Sequence, residues 1–151
     1  MRINTVNKKE ISQFLNENLI GAGLDSFGIR NQFLELKFSS DKLEEIKFFI
    51  DCAIYSNDKI IESKITPFKK ADEDVYTIAY FVFVNRKAIV KCNIEEDDIL
   101  ILTFSNDLVI YFDLSLQEDA ALDITFRVYE DDGNYPVIQF EFGGGISLGT
   151  S

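Results

Sequence analysis

One six-residue alternation occurs twice in this chain. Leu34-Glu35-Leu36-Lys37-Phe38-Ser39 aligns with Leu100-Ile101-Leu102-Thr103-Phe104-Ser105 at an offset of 66. An apolar residue at every second position is the pattern of a strand with one buried face, because successive side chains point to opposite sides of a sheet. The same offset pairs Leu24 with Val90 and Phe33 with Ile99, and Ile50-Asp51 resembles Phe112-Asp113 once a short length difference is allowed. Two similar β-meanders follow from this, over approximately 22–56 and 88–114, each preceded by a helix or helix-like segment. Two copies are too few for a solenoid, so the 151 residues read as a single domain, 1–151.

The remaining elements are read from local period. Asn7 followed by Glu10 resembles a capping box, and Ile11, Phe14, Leu15 and Leu19 then share one face, which predicts an amphipathic helix over 6–20 that Gly21 ends. Leu34 to Phe38 is the next strand, Ser39 to Lys42 a turn, and 43–55 a second strand with Phe48-Phe49-Ile50 buried. Leu43 to Lys47 also fits one helical turn. Residues 59–65 add a short strand, and Pro67 with Lys69-Lys70 closes the first half. Asp72-Glu73-Asp74 opens a second helical candidate near 73–81, where acids suit the helix dipole. Val75, Tyr76, Ile78 and Tyr80 to Phe83 are strand formers as well. Strands at 88–94, 99–104 and 108–114 follow, then a C-terminal hairpin over 122–142 turning at Asp131 to Asn134, and a short Ile146-Ser147-Leu148 end after Gly143-Gly144-Gly145. The expected fold is α+β, mostly antiparallel sheet from two related halves.

Composition removes most chemistry. Histidine is absent, so there is no Ser-His-Asp triad, Cys-His pair or histidine metal site. Cys52 and Cys92 lie forty residues apart without a Cys-x-x-Cys, and both read as small buried hydrophobes. Asp51 beside Cys52 raises a thiol pKa rather than lowering it. The acidic clusters at 72–74, 95–98 and 130–132 lack a spaced calcium-loop pattern and read as solvated turns or a helix start. Gly21-Ala22-Gly23 follows a helix and lacks the third glycine of a dinucleotide loop, and Gly143 to Gly145 precedes no phosphate-binding helix. No catalytic residue, metal or cofactor is expected, and the chain reads as a non-enzyme.

Charge points to a kind of partner. The chain has 15 Lys and Arg against 26 Asp and Glu, a net charge of −11. Residues 101–151 hold one basic residue, Arg127, and nine acids. An anionic end repels phosphate backbones and anionic membranes, so neither nucleic acid nor membrane is expected as partner, whereas a basic protein is steered inward. Acids around Tyr or Phe anchors are one way of recognising such a protein, and Tyr55, Tyr111, Tyr129 and Tyr135 lie in or near expected strands. The best sequence candidates for the partner-binding surface are Glu95, Glu96, Asp97 and Asp98, with Glu118, Asp119, Glu130, Asp131 and Asp132. The start, Met1-Arg2-Ile3-Asn4-Thr5, is polar at once and no apolar run approaches a membrane span, which gives a cytoplasmic expectation.

The doubled pattern resembles a small uncharacterised family of bacterial two-repeat β proteins, some of which occur beside polymorphic toxin genes. The matching stretches are Leu34 to Ser39, Leu100 to Asp107 with Leu108 to Phe112, and Ile138 to Gly144, within about residues 19–148. The family's first repeat returns through a Pro-Trp-like segment, where this chain has Phe48-Phe49-Ile50-Asp51-Cys52 and no Trp anywhere. The family has no established catalytic residues. The resemblance implies a binding protein of immunity type that neutralises a cognate toxin, and the charge points to a basic toxin domain such as a nuclease. The alternatives are a structural or homo-oligomerising β module joined through its edge strands, an enzyme working through carboxylates alone, and a small-molecule binder with a pocket between sheet and helix.

Overall fold

The computed structural model describes residues 2–5, 8–31, 33–95, 98–116, 120–128, 136–141 and 145–150. Fourteen elements run in the order β1 (Arg2–Thr5), α1 (Lys8–Leu19), β2 (Gly23–Arg30), β3 (Phe33–Ser39), β4 (Leu43–Asp51), β5 (Ala53–Ser56), α2 (Lys59–Ala71), α3 (Glu73–Val82), β6 (Ile89–Glu95), β7 (Ile99–Phe104), β8 (Val109–Asp113), β9 (Ala121–Val128), β10 (Pro136–Glu141) and β11 (Gly145–Thr150). They form an α+β fold with two antiparallel sheets. One has seven strands in the order β1-β11-β10-β9-β4-β3-β2, and the other has four in the order β5-β8-β7-β6.

Alternation in the sequence becomes two layers of rows in the sheets. On the inner face of the larger sheet, Leu34, Ile50 and Leu122 lie in register, as do Leu36, Phe48 and Ile124, and Phe38, Ile46 and Phe126. All nine are buried. The smaller sheet contributes Leu100 opposite Phe112 and Leu102 opposite Ile110. A single apolar cluster joins both sheets to Leu15 of α1, Ile65 of α2 and Tyr80 of α3. Helix α1 is tied across it by the Phe14–Phe126 ring contact at 5.3 Å and by the Cys92 N–H donating to Asn16 Oδ1.

The meanders β2-β3-β4 and β6-β7-β8 correspond strand for strand, and they meet through a paired set of backbone hydrogen bonds. The Ile89 N–H donates to Ala22 O, and the Leu24 N–H donates to Lys87 O. The Gly21 N–H donates to Ile89 O, and the Arg86 N–H donates to Leu24 O. Each bond maps onto its mate when 21, 22 and 24 are exchanged with 86, 87 and 89, the arrangement of a local two-fold axis. Gly21 and Arg86 occupy equivalent places, with φ of 91° and 64°. The left-handed conformation explains the glycine in one half. Phe38 and Phe104, the equivalent rings of β3 and β7, stack at 6.4 Å and 20° between the sheets.

Several sequence expectations are corrected by this frame. Leu24 is matched by Ile89, not Val90, since both Leu24 and Ile89 face the core at 0% exposure and Val90 is 47% exposed. Arg30 pairs with Phe33 and Glu95 with Ile99, so the second hairpin loop is one residue longer and shifts β6 against β2. The expected strand over 43–55 is two strands in different sheets: Asp51 pairs with Ala121, Ala53 pairs with Asp113, and Cys52 is the crossing. Phe49 faces outward, half-buried, with Lys47 Nζ 5.6 Å from its ring centre.

The short strand expected at 59–65 is the start of α2. Asp58 caps it by accepting from the N–H groups of Ile60 and Ile61, and the helix carries Pro67 inside rather than closing there. The β-branched Ile60, Ile61, Ile65 and Thr66 suggest a strand locally, but the cap and the four-residue spacing of half-buried Ile61 and buried Ile65 decide for helix. Glu62 then locks α2 to its neighbours, with Oε1 accepting from Ser56 N–H at 2.7 Å and from the Tyr80 hydroxyl. Tyr76 OH adds a third member at 3.0 Å from Tyr80 OH. Helix α3 covers the second candidate at 73–81, strand β1 precedes α1, and Asn7, the 131–134 turn, Gly143 and Gly144 lie outside the described residues.

Candidate functional site

The outer face of the four-stranded sheet carries the molecule's most distinctive pairing of aromatic and acidic groups. Its phase is opposite to that of the core rows. With Ile54, Ile110 and Phe112 pointing inward, Tyr55, Val109, Tyr111 and Asp113 are placed on the other side. Tyr55 and Tyr111 are directly opposite each other on β5 and β8, and their rings stack at 4.8 Å with an interplanar angle of 5°. Ile101 of β7 extends that row beside Tyr111, and Asn93 of β6 extends it beside Ile101. All four are half-buried.

The next row along the same face is Glu95, Ile99, Asp113 and Ala53. Glu95 is exposed and Asp98 half-buried in the turn beyond it, with φ of 59° and its N–H donating to Glu95 O at 3.2 Å. The Leu114 N–H donates to Asp98 O at 3.0 Å, which fastens this turn to the end of β8. Asp113 Oδ1 accepts from the Ser115 N–H at 2.9 Å and from the Ser115 hydroxyl. Asp51, the last residue of β4, acts with Asp113 on the Cys52 thiol at the β4–β5 crossing. Exposed Glu95 and half-buried Asp98 therefore lie at one end of a face whose centre is a tyrosine pair, while Asp113 in the same row is buried at 6% exposure. On the larger sheet acids and bases meet in the pairs Arg30–Glu35, Lys37–Glu35, Lys47–Glu45 and Arg127–Glu44.

Of the acids singled out in the sequence, the structure brings Glu95 and Asp98 together here. Glu96, Asp97, Glu118, Asp119, Glu130, Asp131 and Asp132 lie outside the described residues, as do Tyr129 and Tyr135. Sequence reasoning missed Asp113, Asn93 and Ile101 as members of this face. The available signal was the likeness of Ile50-Asp51 to Phe112-Asp113, which marks the outward positions at the ends of β4 and β8.

The electrostatics of the face act on its own groups. The Tyr55 hydroxyl is pushed above the ordinary tyrosine value by burial first, then by Asp113 and Tyr111, so it stays a neutral donor. Burial, then Asp113 and Asp51, push the Cys52 thiol up to about 12, and burial alone does the same to Cys92. Neither is a nucleophile at neutral pH, since the thiolate is the reactive form. Both thiols are expected to resist alkylation of the native protein at pH 8 and to react fully once it is unfolded. Rapid labelling of native Cys52 would contradict the placement. The unfolded thiols ionise at a lower pH than the folded ones. Their contribution to stability is therefore intact below about pH 9 and is lost as pH rises toward about 12.

Among the described residues, no group of three or more Cys, Asp or Glu side chains is placed to hold a metal ion. No helix there is long and apolar enough to cross a membrane. No family model, curated protein or solved structure matches the chain.

Proposed function

We propose that this chain is a protein-binding inhibitor of immunity type that neutralises a basic toxin partner by occlusion. The observation that carries the reading is the stacked Tyr55–Tyr111 pair on the outer face of the four-stranded sheet, with Glu95 at the end of the next row and Asp98 in the turn beyond it. Tyrosine supplies large contact area at low entropic cost, and a guanidinium can lie on its ring face. The carboxylates set the sign of the partner, and the net charge of −11 extends their field. Inhibition needs no chemistry from this chain: a basic domain seated on the face has its own Lys and Arg paired and its substrate path covered. The toxin context comes from the resemblance of the Leu34–Ser39 and Leu100–Asp107 stretches to the two-repeat family.

The test begins with a pull-down from lysate of the encoding organism at low and then high salt, followed by binding kinetics of the captured protein. A single stoichiometric basic partner released by salt is expected. Reversing Glu95, Glu96, Asp97 and Asp98 to lysine should slow association by about tenfold or more and flatten its salt dependence. Unchanged association and salt slope would remove this surface from the interface. No partner at either salt, with a mass that grows with concentration, would favour edge-strand self-assembly instead.

A further inference from the structure

A second surface of opposite character lies on the helices. Phe68 of α2 and Val75, Ile78, Ala79, Val82 and Phe83 of α3 and its exit line an apolar groove of about 510 Å³. The volume falls within the range of small-molecule sites, about 300–1,000 Å³. Val75, Ile78, Ala79 and Val82 recur at helical spacing along one stripe, while Tyr80 and Phe81 of the same helix are fully buried in the core. Helix α3 is thus apolar on two sides, only one of which the fold covers. Phe68 and Val75 are each 44% exposed and Val82 is 62% exposed.

The polar surroundings restrict what the groove accepts. None of the six lining side chains has a hydrogen-bonding group. The charge at its border differs from end to end: Lys64 Nζ stands 5.9 Å from the centre of the Phe83 ring, whereas exposed Asp72 and Glu73 stand beside Val75, whose N–H donates to Asp72 Oδ1 at 3.2 Å. Lys69 stands 5.6 Å over Tyr76, and α2 as a whole carries Lys59, Lys64, Lys69 and Lys70 against Glu62 in a chain that is otherwise strongly acidic. A ligand for such a groove is apolar along its length and anionic at one end. We infer that the α2–α3 groove binds a long-chain fatty acid, its alkyl chain along Phe68, Val75, Ile78 and Val82 and its carboxylate against Lys64 beside Phe83.

The experiment is displacement of an anthroyloxy-labelled stearate from the full chain by unlabelled fatty acids. Saturable one-to-one binding is expected, with affinity rising about twofold per methylene from octanoate to laurate, since an open groove buries each CH₂ in part and full burial gives about fourfold. Val82→Asp should abolish displacement, and Val75→Lys serves as a second groove variant. Both positions are exposed, so far-ultraviolet circular dichroism should match the parent protein. Lys64→Glu should weaken laurate about tenfold while Lys64→Arg keeps its affinity, since only the charge at that end is used. Dodecanol binding as tightly as laurate would overturn the carboxylate contact. Absence of saturable binding, equal binding by Val82→Asp, or uptake only when the protein sits on phosphatidylglycerol vesicles would overturn the proposal.

Discussion

Replacing Phe38 by alanine is expected to lower the unfolding free energy by about 3–5 kcal/mol, the cost of emptying a large aromatic site in a packed core. Phe38 is fully buried, packs 5.2 Å from Phe48 within the larger sheet, and stacks on Phe104 of the smaller one. The cavity would open where the two sheets face each other, so no single loop or helix can collapse into it. A domain of this size has about 5–15 kcal/mol of stability in total, which leaves the variant close to unfolding at moderate temperature. Phe104→Ala should cost a similar amount. The double variant should cost less than the two singles together, because they share one contact. Urea unfolding of the three variants, with the exposed Val90→Ala as a control expected within about 0.5 kcal/mol of the parent, measures this. Independent, additive losses would mean that the two meanders do not meet on these rings.

The Phe38–Phe104 contact also shows where sequence reading succeeds. The alternation at 34–38 and 100–104 places these rings on buried faces, and their shared offset marks them as equivalents. Period-two patterning is legible because each strand must bury one side whatever its neighbours are. Strand partnership is not legible in the same way. β5 leaves its own half to pair with β8, and β9 pairs with β4, and neither choice has a local signature. Helix α2 was hidden for a related reason. Ile60, Ile61, Ile65 and Thr66 favour strand by side-chain shape, whereas the Asp58 cap and the Glu62–Tyr80 bond across eighteen residues select helix. Part of the candidate face was equally unreadable. Tyr55 and Tyr111 are conspicuous in the sequence, but their stacking depends on the β5–β8 pairing, and so does the effect of Asp113 on Cys52. The acids at 95–98 were recognisable as a charged turn, while their position beside an aromatic pair was not.

The second large effect is expected at that pair. Tyr111→Ala should weaken the partner complex by about 2 kcal/mol or more, roughly thirtyfold, as for a central aromatic anchor. The loss should appear as faster dissociation. Charge reversal at Glu95 and Asp98 should appear mainly in association, because long-range attraction acts before contact and aromatic packing acts after it. Tyr55→Ala should behave like Tyr111→Ala and fall short of additivity with it, since the rings cover each other at 4.8 Å. Stability is a separate readout. Losing one of two half-buried stacked rings costs the ring-pair contact, about 0.5–1.5 kcal/mol, on top of the area that ring buries, and urea unfolding of the same variants measures that loss apart from the loss of binding. Tyr111→Phe discriminates further: it keeps the ring stack and removes the hydroxyl, so near-parental affinity would assign the contact to the ring face and a full loss would assign it to the hydroxyl. If Tyr111→Ala left dissociation unchanged while the charge reversal still slowed association, the acids would steer a partner that docks elsewhere. The four-stranded sheet would then supply the field and not the seat.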